Sequence, residues 1–187
     1  MRSRREGGGN ASAIRVGVVV VSDKAAAGLR RDGCVGALEK VLPPADAAIA
    51  AHTIVPDEIG AIQEAVQQMT DGEGLDVVLT AGGTGIGPRD VTPEAILPLI
   101  DRAIPGIAEL MRRQGFEMTP NAILSRSVAG TRGRALLIAL PGSPRGAAEC
   151  LSSVWPAIPH ALALLRGEAT ECARKVKSQK QKGKTKS

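Results

Sequence analysis

The residues Gly82-Gly83-Thr84-Gly85-Ile86-Gly87 hold four glycines in six positions, and Pro88-Arg89-Asp90 follows at once. Glycine lets the chain take positive φ and removes the Cβ that would block a close approach. Consecutive backbone N–H groups can then form a concavity for an anion such as a phosphate. The plainer alternative is a tight strand-to-helix turn with no ligand. Thr92, with Pro93 behind it, reads as the N-cap of the next helix. That helix would add a partial positive charge at its start. With capping assigned to Thr92, Asp90 is free for other chemistry. A carboxylate beside bound phosphate is repulsive unless a cation intervenes, and Mg²⁺ held by one or two carboxylates is the simplest such cation. Asp57 is the natural second carboxylate, unless it merely caps the helix near Glu58. Arg89 either neutralises charge on a reacting phosphate or makes a surface ion pair.

Two nucleotide motifs are excluded. In a Walker A loop Lys and Ser/Thr would stand where Pro88 and Arg89 stand, and the spacing of Gly83, Gly85 and Gly87 does not fit Gly-x-Gly-x-x-Gly. Cys34, Cys150 and Cys172 are widely spaced, so neither a disulfide framework nor a zinc site is indicated. His52 and His160 have no ligand-type neighbours in sequence and read as packed or surface residues.

The surrounding elements must bring these residues together. Ile14–Val21 is almost continuously apolar and β-branched, which predicts a strand buried on both faces. A helix is expected near 33–41, capped by Asp32 and stopped by Pro43-Pro44. A strand is expected over 47–55, a helix over 58–69 and a short strand over 76–80. Helices should follow from Thr92 towards Leu99 and over 105–114. Residues 124–128 are ambiguous between strand and helix. A buried strand covers 134–140, and one long helix should run from about Pro144 to Leu165. Strands alternating with helices predict an α/β fold with a mainly parallel sheet. In such a sheet, ligands bind beyond the carboxyl ends of the strands. The segments found there are Ser22-Asp23, Pro56-Asp57, Thr80 to Asp90, and Pro141-Gly142-Ser143-Pro144. Ser22 and Asp23 could serve the site or simply end a strand. Pro141-Gly142-Ser143 could cap its strand or present donors to a nucleotide.

The 187 residues, 43% of them hydrophobic, suit one domain with a core. The expected organisation is a disordered tail over 1–12, a single domain over 13–168 and a disordered Lys-rich tail over 169–187. The net charge of +5 sits in the ends, since residues 11–170 carry 14 basic against 17 acidic residues, a net −3. With one Phe, one Trp and no Tyr, a base-stacking platform and specific nucleic-acid binding are disfavoured. No apolar run reaches ~18 residues and no hydrophobic stretch follows the N-terminal arginines. The expected setting is the cytoplasm, with no membrane partner.

The set of motifs resembles a known family. Thr80-Ala81-Gly82-Gly83-Thr84-Gly85, followed by Arg89-Asp90-Val91-Thr92-Pro93-Glu94-Ala95, is similar to the signature of the Mog/MoaB family of molybdenum-cofactor proteins. Leu140-Pro141-Gly142-Ser143-Pro144 resembles its second signature, and Val21-Ser22-Asp23, Val55-Pro56-Asp57-Glu58 and Leu124-Ser125-Arg126-Ser127 match in order. The middle of the chain also resembles the matching domains of gephyrin. The likeness covers about residues 14–166. It implies the family's three-layer αβα sandwich, a trimer, and transfer of AMP from ATP to molybdopterin with Mg²⁺ and release of pyrophosphate. It implies a molybdenum-insertion enzyme as a downstream partner. The family's two functional aspartates carry over onto Asp57 and Asp90, and Ser125 and Ser127 join the substrate-binding set. The chain departs from the family after Lys24, where Ala25-Ala26-Ala27 lacks a usual hydroxyl. The alternatives are a non-catalytic, MoaB-like molybdopterin-binding paralogue and a scaffold of the same fold.

Overall fold

A computed structural model describes residues 13–168, so the two expected tails lie outside the described residues. In chain order the elements are β1 Ile14–Val21, α1 Asp23–Ala26, α2 Cys34–Glu39, β2 Ala47–Val55, α3 Ile59–Gln67, β3 Val77–Ala81 and α4 Thr92–Ile96. They continue as β4 Arg102–Ala103, α5 Pro105–Met118, β5 Ala129–Arg132, β6 Ala135–Leu140, α6 Pro144–Val154 and α7 Ile158–Leu165. The strands form one sheet in the order β2-β1-β3-β6-β5-β4. β2, β1, β3 and β6 are parallel. β5 and β4 add an antiparallel edge beyond β6.

Alternation of side chains explains why β1 and β3 read as unbroken apolar runs. Val16, Val18 and Val20 pack into one cluster with Leu38 of α2, Met111 of α5, Leu151 of α6 and Ile158 of α7. Val19 and Val21 pack into the other with Ile62 and Val66 of α3 and Ile96 of α4. The fold is therefore a three-layer αβα sandwich. Each fully buried valine contributes roughly 1.5–3 kcal/mol relative to exposure.

Several sequence expectations change. The long helix expected from Pro144 to Leu165 breaks at Trp155–Ala157, because Pro156 and Pro159 have no N–H for an internal turn. α5 runs past Gln114 to Met118. Residues 125–128 are neither helix nor strand. Gly33, not Asp32, occupies the N-cap position of α2. Asp32, one residue earlier, still accepts from the first-turn N–H groups of Cys34 (2.8 Å) and Val35 (3.1 Å). Among the described residues no helix is long and apolar enough to cross a membrane.

Thr80 of β3 is 2% exposed, and its hydroxyl has no hydrogen-bond partner among the described residues. Its neighbours in register are Val19 and Ala139. A buried unsatisfied hydroxyl destabilises, and valine has nearly the same shape. Thr80→Val should raise the unfolding free energy by about 1 kcal/mol in urea titration.

Candidate functional site

The carboxyl ends of β1, β2, β3 and β6 meet at one edge of the sheet, where the glycine turn leaves β3. Gly82 donates to the carbonyl of Leu140 at 3.2 Å, which ties the turn to β6. Its φ is +121°, and an added Cβ would overlap the carbonyl oxygen of Val21. Gly142 presses on the other side, with 3.1 Å between its own would-be Cβ and the Cα of Gly82. Gly83 has φ +60° and backs onto Thr92 and Asp57.

Thr92 is not the expected N-cap. Val91 occupies the cap position, and no side chain caps α4. Thr92 is instead fully buried, and its hydroxyl donates to the Gly82 carbonyl at 2.7 Å. α4 has only five residues, so its dipole adds little to the site. Asp90 is not idle either. Its Oδ2 accepts from the Gly87 N–H at 2.7 Å and ties off its own loop. The premise that freed Asp90 therefore fails, although among the described residues no hydrogen bond reaches its Oδ1.

The turn has a one-sided hydrogen-bond pattern. The carbonyl of Gly82 is taken by the Thr92 hydroxyl and that of Gly83 by the Thr92 N–H. The carbonyl of Thr84 is taken by the Arg126 N–H, and that of Gly85 by the Arg126 Nε. The Gly87 carbonyl accepts from Asp90 N–H. In contrast, the N–H groups of Gly83, Thr84, Gly85 and Ile86 have no acceptor among the described residues. The peptide between Ile86 and Gly87 is the exception, its carbonyl having no donor among the described residues and its N–H bonded to Asp90. From Gly82 to Ile86, acceptors are tied back and donors are left open, the polarity an anion requires.

Asp57 does not cap α3. Glu58 holds that position without a side-chain bond. Asp57 pairs reciprocally with Asp23: Asp23 N–H donates to Asp57 Oδ2, and Asp57 N–H donates to Asp23 Oδ1, both at 2.9 Å. Arg89 grips Asp23 through Nε (3.0 Å) and Nη2 (2.9 Å). The three segments following β1, β2 and β3 are thus stitched together. The Arg89 guanidinium, then the Asp57 N–H, hold the Asp23 carboxyl below the usual carboxylate range. Ser22 caps α1, accepting from Ala25 N–H at 3.3 Å and from Arg30 at 3.1 Å. Asp57 Oδ1 accepts no hydrogen bond among the described residues and lies 3.1 Å from where a Cβ of Gly83 would stand.

A cavity of about 1010 Å³ opens beside the turn. Of the expected residues, Gly83, Thr84, Gly85, Asp90, Ser125, Ser127, Pro141, Gly142 and Ser143 line it. Gly82 and Thr92 stand behind that wall. Ser22, Asp23, Asp57 and Arg89 do not line it either. The side chain of Ser143 is occupied, accepting from Gly146 N–H at 3.1 Å to cap α6. Ser125 and Ser127 share a hydroxyl–hydroxyl bond of 2.8 Å. Arg112 of α5 donates to both their carbonyls.

Arg112 and Arg126 escaped the sequence reading. Arg126 stands within the quoted Leu-Ser-Arg-Ser motif, but nothing local says where its head goes. Neither His52 of β2 nor His160 of α7 lines the cavity. Burial pushes the thiols of Cys34 and Cys150 up to about 11. Neither is a nucleophile at neutral pH.

Comparisons with known proteins agree with this architecture. The profile of the family described as "Probable molybdopterin binding domain" matches residues 17–160. A molybdopterin adenylyltransferase of Helicobacter pylori is 40% identical over 156 residues, 82% of this chain and 89% of that one. One from Escherichia coli K12 is 36% identical over 177 residues, covering 87% and 91%. The crystal structure of the molybdopterin biosynthesis enzyme MoaB from Thermus thermophilus aligns with a TM-score of 0.78 at 50% identity, covering 84% of this chain and 99% of that one. With its sandwich and most of its length matched in this way, the chain belongs to the molybdopterin-binding domain family of molybdenum-cofactor biosynthesis.

Proposed function

We propose that the protein transfers AMP from ATP to the terminal phosphate of molybdopterin. The observation that carries this reading is the row of four open N–H groups on a cavity large enough for a nucleotide, in a chain of this family. A phosphate oxygen of molybdopterin attacks the α-phosphorus of ATP. The bond from that phosphorus to the bridging oxygen breaks, and pyrophosphate leaves with the electron pair. A phosphate monoester has a second pKa of about 6, so the nucleophile is already largely dianionic. No general base is required, which suits a cavity without histidine.

The difficulty is to hold two anions together. The open N–H groups of the turn bind and orient phosphate oxygens. Asp57 and Asp90 fit a Mg²⁺ ion on the chemistry of their oxygens. Each has one oxygen held by a backbone N–H and one with no hydrogen bond among the described residues. Two carboxylates with substrate phosphates are a common donor set for this ion. When bound, Mg²⁺ would offset charge on the triphosphate. Arg89, 61% exposed and paired with Asp23, supplies a further cation at the rim. Ser125, Ser127, Pro141 and Gly142, which also line the cavity, are assigned to substrate binding. We further propose that the protein works in the cytoplasm as a homotrimer and passes its product to a molybdenum-insertion enzyme.

The test is incubation of purified protein with molybdopterin, labelled ATP and Mg²⁺. Adenylylated pterin and pyrophosphate are the expected products. Tight pterin binding without pyrophosphate release would replace this reading with that of a binding-only paralogue. Removing residues 171–187, with Arg174 and six lysines, should leave turnover unchanged. Loss of activity on trimming would instead give the basic tail a part in the reaction. Light scattering should return three times the mass of one chain.

A further inference from the structure

We propose that Arg126 is a positioning residue that sets the polarity of the glycine turn. Three of its donors go to carbonyl oxygens of this one loop. Its backbone N–H donates to Thr84 at 2.8 Å. Its Nε donates to Gly85 at 2.6 Å and its Nη2 to Asp90 at 2.6 Å. The remaining arm, Nη1, is anchored by the carboxylate of Glu94 on α4. One planar head therefore draws back two carbonyls separated by five positions and fixes itself to a helix.

The physical consequence concerns charge. A carbonyl facing a phosphate is repulsive, and a flexible glycine-rich chain can present either its N–H or its C=O groups. With the carbonyls of Gly85 and Asp90 held back, the N–H groups of Gly83 to Ile86 are left for the ligand. The same hold fixes the peptide of Asp90, and so the origin of its carboxylate. Lysine would keep the positive charge but not the planar fork of donors. The role therefore belongs to the guanidinium's shape as well as to its charge. Arg126 need not touch substrate to act in this way.

The proposal rests on the adenylyl-transfer reading only for its choice of probe. The probe is a non-hydrolysable ATP analogue with Mg²⁺, measured by titration calorimetry on wild type, Arg126→Lys and Arg126→Met. Both variants should bind the analogue at least ~10-fold more weakly than wild type, about 1.4 kcal/mol. Where both fold, Arg126→Met should lose at least as much as Arg126→Lys. The affinity for molybdopterin alone should change less than the affinity for the analogue. A merely structural arginine would weaken both ligands together or neither. If Arg126→Met does not fold, Arg126→Lys decides. Wild-type affinity in a folded Arg126→Lys protein would overturn the proposal, as would equal loss of both ligands. If wild type itself binds no analogue, the reading of the site fails instead, and the two failures are distinct.

Discussion

Replacing Asp90 by asparagine is expected to lower the rate of AMP transfer at least ~10²-fold, about 2.7 kcal/mol of barrier, without moving the unfolding midpoint. The geometry makes asparagine the better probe than alanine. Asp90 Oδ2 accepts from Gly87 N–H and lies 2.7 Å from where a Cβ of Gly85 would stand. Asparagine can keep that bond through its own carbonyl oxygen, so the turn stays closed. What it loses is the negative charge offered to a cation. Alanine loses both, and should add local loosening of residues 85–90 to the same chemical defect. Steady-state transfer from labelled ATP, with urea unfolding on the same preparations, measures the two effects separately. Near-normal transfer by a folded Asp90→Asn protein would remove Asp90 from the proposed metal site.

Gly82→Ala should be among the most destabilising single changes in the chain, costing at least ~4 kcal/mol. Two independent penalties coincide. The φ of +121° is one that L side chains rarely adopt. The new Cβ would also overlap the carbonyl oxygen of Val21, which is backbone at the end of a buried strand and cannot rotate away. Gly142 closes the opposite side. A suitable control is Gly36→Ala in α2, where nothing lies within 4 Å of an added Cβ. There alanine should stabilise by roughly 0.5–1 kcal/mol through helix propensity. Urea titration of both variants tests the contrast. A Gly82→Ala protein as stable as wild type would show that the strand ends can part.

The central sheet was legible from sequence because its information is local. The apolar run of β1 spans the residues expected of it, and the alternating β2 also begins and ends as read. Burial on two faces writes itself as continuous Val and Ile, whatever lies elsewhere. The antiparallel edge was not legible, because β4 has two residues and β5 four, too few for a period to declare itself.

At the site, the positions were readable but the partners were not. Thr92 followed by Pro93 has the local pattern of a cap, yet its hydroxyl goes ten residues back to Gly82. Arg89 pairs with Asp23, 66 positions away, and Arg126 reaches Gly85 across 41. These contacts depend on which strand ends the sheet brings together. A motif states which chemical groups are present, whereas the strand order decides which of them meet. Asp57 illustrates both halves. Its capping alternative was reasonable from sequence, and the fold removed it by pairing Asp57 with Asp23.

The one-sided turn also bears on what happens when a ligand arrives. The N–H groups of Gly83, Thr84, Gly85 and Ile86 have no acceptor among the described residues, and these residues line the cavity. On the proposed reading, phosphate oxygens would take the place of solvent at the turn. Because the opposing carbonyls are already secured, the peptide planes need not rotate on binding. On the proposed reading, the reorganisation that a flexible glycine loop would otherwise undergo would be completed when the chain folds, before any ligand arrives.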